Sequence, residues 1–540
     1  MPRVLTHATT ILHTIIVLLS LPASAAEISF SFREPAIFKI GKARFNLAVP
    51  EDLARFTNSA ARLVEQNSSA QSLSKKDRRG LREMLRLSTQ VSWVHGSAKS
   101  VIYHQLLEVA AATANNHRPP IPSYVGLPDL PFRFVDSLSN PVARSKKAAA
   151  NLCDSPAVSD LSLLDPKPST FWQRQESISL ANLYAGFDRL SLPRFDHRMW
   201  DYHGPKTSGG NPGCELISGT QRIKVKFAET HSEPFAGRIF HALGYHVEPT
   251  DYAPRLRIKY DRRFFQQFNS LPEIKMKIGV FFIPIHTFHF ERTYDPFDFI
   301  ELAVFKDGTT RTSAELKSLL LRDPESRKPF VAENFDYAAE TAIDHLVTVE
   351  ANIQVEDDRL HSIGPWDFGG LGHEHLRELR GAGVLAAWLG WWDARFDNTR
   401  LRIADTPAGP ELRHYFSDLG AGLGLSAGTY RHSSEQPHEF AETFTRGARR
   451  HNRWHIEFPG YEPIEDTPAF KEITLDDARW MARLIAQLTE TQIRESLAAS
   501  GFNTDEVEIY AEKLMSRRDQ LIRDCKLEGD IPLLRLANAP

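Results

Sequence analysis

The chain has 540 residues, too many for one hydrophobic core, because single cores stop growing near about 250–300 residues. Its 42% hydrophobic and 25% charged content is that of a globular protein, and excludes a disordered, collagenous or wholly membrane-embedded chain. A formal net charge of -3 gives no electrostatic footprint for nucleic acid or anionic lipid, so neither is an expected partner.

Residues 1–26 stand apart from the rest. Arg3 is followed by a short apolar run over 11–21, and Ala23-Ser24-Ala25 has the small-x-small pattern of a cleavage site. This predicts a Sec-type signal peptide cut after Ala25 or Ala26 and a periplasmic or secreted mature protein; an uncleaved N-terminal anchor is the alternative. No later stretch reaches about 18 uninterrupted apolar residues, so no membrane span is expected in the mature chain. The three cysteines, Cys153, Cys214 and Cys525, permit at most one disulfide and show no zinc-binding spacing.

Residues 27–50 alternate as strands do, and 50–116 carry helical periodicity, with Leu81, Met84 and Leu85 on one face. The Pro- and Ser-rich stretch 117–170 reads as a connector, which closes a mixed α/β N-terminal region over 27–170. A glycine-rich stretch, PKTSGGNPG at 205–213, then leads into CELIS and RIKVKF. In the latter, Ile223, Val225 and Phe227 alternate with Arg222, Lys224 and Lys226, which predicts a strand with one apolar and one cationic face. Ser232 is read as the cap of a following helix, with Glu233 and Pro234 in its first turn and Gly244 as its stop. Residues 255–305 are strand-rich, and 337–353 and 373–392 are read as helices, the second with a buried end because it becomes apolar nearly all round (VLAAWLGWW). Beyond 474, Thr474 with Asp477 and Thr489 with Gln492 form capping boxes, and Gly501 ends a helix.

The buried helix ends in WWDARFDN, and after a loop and a hairpin-like segment (TRLRIADTPAGPELRHYFS) the chain reads YFSDLG. Asp393, Asn398 and Asp418 thus stand at two breaks joined by a short strand pair, where they can converge on one pocket. Asp and Asn are hard oxygen ligands suited to Mg²⁺, and a further Asp can accept a proton from a hydroxyl. Isolated Asp and Asn residues also close turns, which is the plainer reading of each taken alone.

In order and spacing these residues resemble the protein-kinase-like superfamily, closer to its HipA-type and secreted bacterial branch. The resemblance covers about residues 199–425 and rests on D-A-R-F-D-N, on D-L-G at 418–420, on the glycine-rich stretch before a Lys-bearing strand, and on HSEPFAGRIFHALGYHV. It implies an α+β, two-lobed kinase-like fold, with an N-lobe over 171–335 that contains an insertion near 255–335 and a helical C-lobe over 336–540. It also implies ATP as phosphate donor, with Mg²⁺, or Mn²⁺ in its place, as metal cofactor. In that scheme Asp393 is the base, Arg395 stabilises the transferred charge, and Asn398 and Asp418 hold the metal. Gly209, Gly210, Gly213, Lys226 (or Lys224) and Glu233 form the nucleotide site. The chain departs from the family in lacking a regular G-x-G-x-x-G, in spacing Lys226 and Glu233 only seven apart, and in having no APE-like motif.

The expected partners are therefore a nucleotide and an unidentified hydroxyl acceptor on a protein or small molecule, with nucleotidyl transfer as a variant. Two readings of other classes stand beside this one. One is an inactive kinase-like binding module. The other is a serine hydrolase using Ser426, since GLSAG at 424–428 matches G-x-S-x-G.

Overall fold

The computed structural model describes residues 28–30, 37–66, 75–94, 97–114, 165–166, 168–187, 197–206, 211–270, 274–278, 286–290, 294–326, 328–424, 440, 445–450, 453–465 and 467–527. The expected signal peptide, most of the connector and Cys153 lie outside them. The architecture is mixed α and β with several sheets, and it divides into two compact units: Met1–Asp129 with Leu360–Gly372 and Leu401–Arg413, and Leu130–Arg359 with His373–Arg400 and His414–Pro540.

In the first unit, β1 (Ile28–Phe30), β2 (Ile37–Ile40) and β3 (Ala43–Asn46) form an antiparallel sheet. Helices α1 (Pro50–Gln66), α2 (Lys75–Trp93) and α3 (Ser97–Ala114) follow it. Pro50 opens α1 with Glu51 and Asp52 in its first turn, the arrangement that suits a helix N-terminus. Phe56 of α1 meets Phe38 and Phe45 edge-on at 5.6 and 5.7 Å, which ties helix to sheet.

The second unit is built on a nine-stranded sheet. Its strands in chain order are β4 (Met199–Pro205), β5 (Gly213–Ser218), β6 (Gln221–Lys226), β8 (Thr250–Ala253), β9 (Arg257–Lys259), β12 (Ile300–Phe305), β13 (Thr310–Thr312), β14 (Ile343–Thr348) and β15 (Ala351–Val355). Two-residue β7 (His246–Val247) and the hairpin β10 (Ile274–Ile278) with β11 (His286–Phe290) stand outside it. The spatial order is β13-β12-β14-β9-β4-β5-β6-β15-β8. Within the segment 255–335, β9, β12 and β13 join this same sheet. Two corrections to the sequence reading follow. Residues 337–353 are not one helix: Asp336 caps a short helix, Tyr337–Ala342, and the β-branched run after it pairs as β14 and β15. Ser232 is the first helical residue of Ser232–Ala242 rather than its cap; its hydroxyl donates instead to the Gly420 carbonyl at 2.5 Å.

The helix Arg377–Leu389 is buried along its whole length: Val384–Leu389 is apolar all round, and in the charged first turn Arg377 and Arg380 pair with Asp477. It packs against Leu475–Ile485 and Thr504–Asp524, two helices that begin with capping boxes at Thr474/Asp477 and Asn503/Glu506. Glu490–Ala499 begins with the box Thr489/Gln492, and Gly501 follows it at φ +90°. Among the described residues no helix is long and apolar enough to cross a membrane. Cys214 and Cys525 are free and buried.

Candidate active site

Alternation in β6 sends Ile223 and Val225 into the core and turns Lys224 and Lys226 to the other face. The two lysines then diverge. Lys224 reaches Glu356 at 3.3 Å and stays partly exposed. Lys226 is 8% exposed and donates to Glu233 Oε2 at 2.7 Å and to Asp418 Oδ1 at 2.5 Å. Burial alone would lower its pKa, but Asp418, Glu233 and Glu229 outweigh burial and keep the ammonium charged. The seven-residue spacing suffices because the Ser232–Ala242 helix starts almost directly after the strand, so Glu233 in its first turn faces back to Lys226. Asn352, the cross-strand partner of Lys226 on β15, donates its amide to the same Glu233 oxygen.

The helix Arg377–Leu389 stops abruptly at Gly390, which adopts φ +69°. Trp391 N–H donates to Ala386 O and Gly390 N–H to Ala387 O, the paired bonds of a Schellman ending. The next residues are pinned: Trp391 Nε1 donates to Asp418 O, Tyr461 Oη to Trp391 O, and Trp392 N–H to Ala421 O. Asp393 is thereby delivered at the mouth of the break. Asn398 Nδ2 donates to Asp393 Oδ2 at 2.9 Å and to its carbonyl at 2.7 Å, fixing the five-residue loop between them. Arg395 Nε lies 3.3 Å from Asp393 Oδ1, an ion pair without hydrogen-bond alignment. Burial pushes the Asp393 carboxyl up to about 6, although Arg395 and the Asn398 amide oppose it.

The strand β16 (Thr399–Thr406) and its hairpin partner β17 (Gly409–Phe416) return the chain to Ser417 and Asp418. Ser417 N–H donates to Asn398 O, so the two ends of the hairpin are locked side by side. Asp418 is held at φ +55°, the left-handed region that a non-glycine residue rarely occupies. Burial would raise its pKa, but the Lys226 ammonium overrides burial and holds it down at about 2. Burial together with Asp418 pushes Glu229 up to about 8. The carboxylates of Glu229, Glu233 and Asp418 each offer an oxygen within 4.8 Å of the others.

These groups open on a cleft of about 220 Å³ lined by Lys206, Lys224, Lys226, Glu233, Arg395, Asn398, Arg400, Ser417 and Asp418, among others. The lining mixes several cations with hard oxygen donors, and the Ser417 hydroxyl, 4% exposed, is an orphaned polar atom within it. That set fits a metal-bound phosphate group: Asp418 and Asn398 as oxygen ligands, the cations for phosphate oxygens.

The structure therefore brings Lys226, Glu233, Asp393, Arg395, Asn398 and Asp418 to one place, with Lys224 on the cleft's rim. Gly213 is the first residue of β5; a Cβ there would fall 2.1 Å from Val225 O, so glycine permits the close approach of β5 to β6. Gly209, Gly210 and Ser426 lie outside the described residues. Sequence reading missed Lys206, Glu229, Asn352 and Arg400. Lys206 lies within the glycine-rich stretch and Arg400 follows Asn398 by two residues, signals that were available; Asn352 carries none, since only strand pairing places it. No family model, curated protein or solved structure matches the chain.

Proposed function

We propose that this chain is a kinase-like phosphotransferase, two-lobed about the cleft, that moves the γ-phosphate of ATP to a hydroxyl on a protein or small molecule. One observation carries the reading: Lys226, bound to Glu233, meets Asp418 at 2.5 Å across 192 residues of sequence. The Asp393–Asn398 pair is bonded at the same break. Phosphoryl transfer asks little covalent chemistry of a protein and much positioning and charge stabilisation, and this site offers both. Lys226 would hold donor phosphates, and Asp418 with Asn398 would hold Mg²⁺ or Mn²⁺, which neutralises charge on the transferred group. Asp393 would orient the acceptor hydroxyl and take its proton, while Arg395 faces the charge that develops.

The test is transfer of labelled γ-phosphate from ATP by the purified chain to protein or to an acceptor extract, with pyrophosphate release followed in parallel. Incorporation of label supports the reading, and pyrophosphate release without label selects nucleotidyl transfer. Firm ATP binding, seen as a melting-temperature rise corresponding to about 2.7 kcal/mol at 100 times Kd, with neither product selects the binding module.

The raised carboxyl of Asp393 sets a pH dependence. A base must be ionised, and Asp393 titrates at about 6, so kcat/KM should fall about ten-fold per pH unit below that value and level off above it. A pH–rate profile flat down to pH ~4.5 would remove Asp393 from the role of base.

A further inference from the structure

Glu229 has no part in the scheme above, yet its side chain points into the same cluster. It sits in the turn between β6 and the Ser232–Ala242 helix, and its Oε2 is buried without a hydrogen-bond partner. Space for it exists because residue 420 is glycine: a Cβ there would lie 2.6 Å from Glu229 Oε2 and 2.5 Å from its Cβ. A second orphan adjoins it. Asn352 is 1% exposed, and its amide nitrogen donates to Glu233 Oε2, yet its Oδ1, on the same carbon, has no donor. Both of these unsatisfied atoms are oxygen acceptors, and the three carboxylates gather about the Lys226 ammonium with the Lys206 ammonium also near. Acceptors gathered in this way are complemented by a cation, and an all-oxygen set selects a hard one over zinc or copper.

We propose that Glu229, with Asp418 and Glu233, forms a site for a hard divalent cation, a metal position beyond the Asn398–Asp418 pair. The three carboxylates each offer an oxygen within 4.8 Å of the others, close enough for one hard divalent ion to touch all three. Asn352 Oδ1, unpartnered and on the same amide that bonds Glu233, is a neutral oxygen able to join the shell. Asp418 would then be shared between two cations, as a bridging carboxylate.

The site shares Asp418 with the proposed transfer reaction but does not depend on it, and it is tested without nucleotide so that the two readings fail separately. Mn²⁺ is titrated into the full chain, and the free ion is followed by its aqueous EPR signal, with Ca²⁺ and Mg²⁺ as competitors. Wild type should bind Mn²⁺ saturably, with Ca²⁺ and Mg²⁺ displacing it. Glu229→Gln should weaken binding by more than about ten-fold, the loss that even an outer-shell partner can cause. Glu356→Gln removes a carboxylate that pairs with Lys224 instead, and should leave binding unchanged. Glu229→Asp, one methylene shorter, gives the same reading if Glu229→Gln fails to fold. Absence of saturable binding by wild type at millimolar Mn²⁺, equal affinity in the Glu229 variants, or an equal loss in Glu356→Gln would each overturn the proposal.

Discussion

Asp393→Asn should abolish phosphate transfer while nucleotide binding stays close to wild type. The substitution preserves the side chain's shape and leaves an oxygen that can accept the bond from Asn398 Nδ2, so the loop between them keeps its anchor. What disappears is the charge and basicity that an acceptor hydroxyl requires. Removal of a positioned general base costs about 10²–10⁴-fold in rate, and the loss should fall on kcat rather than KM if Asp393 acts only as the proton leaves. Rapid-quench or radiolabel assays at saturating acceptor read kcat, and a melting-temperature series with ATP and metal reads binding. A variant that transfers phosphate at the wild-type rate would dismiss the kinase-like reading. One that also loses nucleotide binding would show that Asp393 serves the architecture of the cleft instead.

Lys226→Met should have the second large effect, on stability as well as on nucleotide binding. Lys226 is the ammonium between Glu233 and Asp418, and both lysine and glutamate are buried. Methionine keeps the length and packs well, but strands carboxylates that were paired. Breaking a buried ion pair from one side typically costs about 3–5 kcal/mol, because the remaining charge has neither partner nor water. Chemical denaturation at neutral pH measures this directly. The pH dependence has a definite sign: without Lys226 the folded-state carboxylates hold their protons more tightly than the unfolded chain does. The folded state then binds more protons as pH falls, so the deficit against wild type should shrink on acidification. A variant as stable as wild type at pH 7 would mean that the three-way pairing is not closed in solution.

The sequence by itself determined those features that depend on neighbours along the chain. The two-residue alternation in RIKVKF fixed a strand with a cationic face, and the apolar run Val384–Leu389 fixed a buried helix end. The capping boxes at Thr474 and Thr489 and the glycine stop at Gly501 are equally local. The offset from Asp393 to Asn398 was legible for the same reason, since a five-residue loop can close a hydrogen bond on itself. Tertiary structure alone decided the rest. Lys224 and Lys226 are indistinguishable as strand residues, and only the arrival of Asp418 from the hairpin and Asn352 from β15 makes one of them the buried partner of Glu233. The segment 337–353 looked helical by composition, but its backbone hydrogen bonds go to β9, β12, β6 and β8, partners that periodicity cannot supply. Ser232 resembled a cap, yet its hydroxyl reaches Gly420 across 188 residues. Glu229 drew no notice because a glutamate in a turn is ordinarily solvated; burial beside Asp418, permitted by the missing Cβ of Gly420, is a consequence of chain segments that meet only in the folded state.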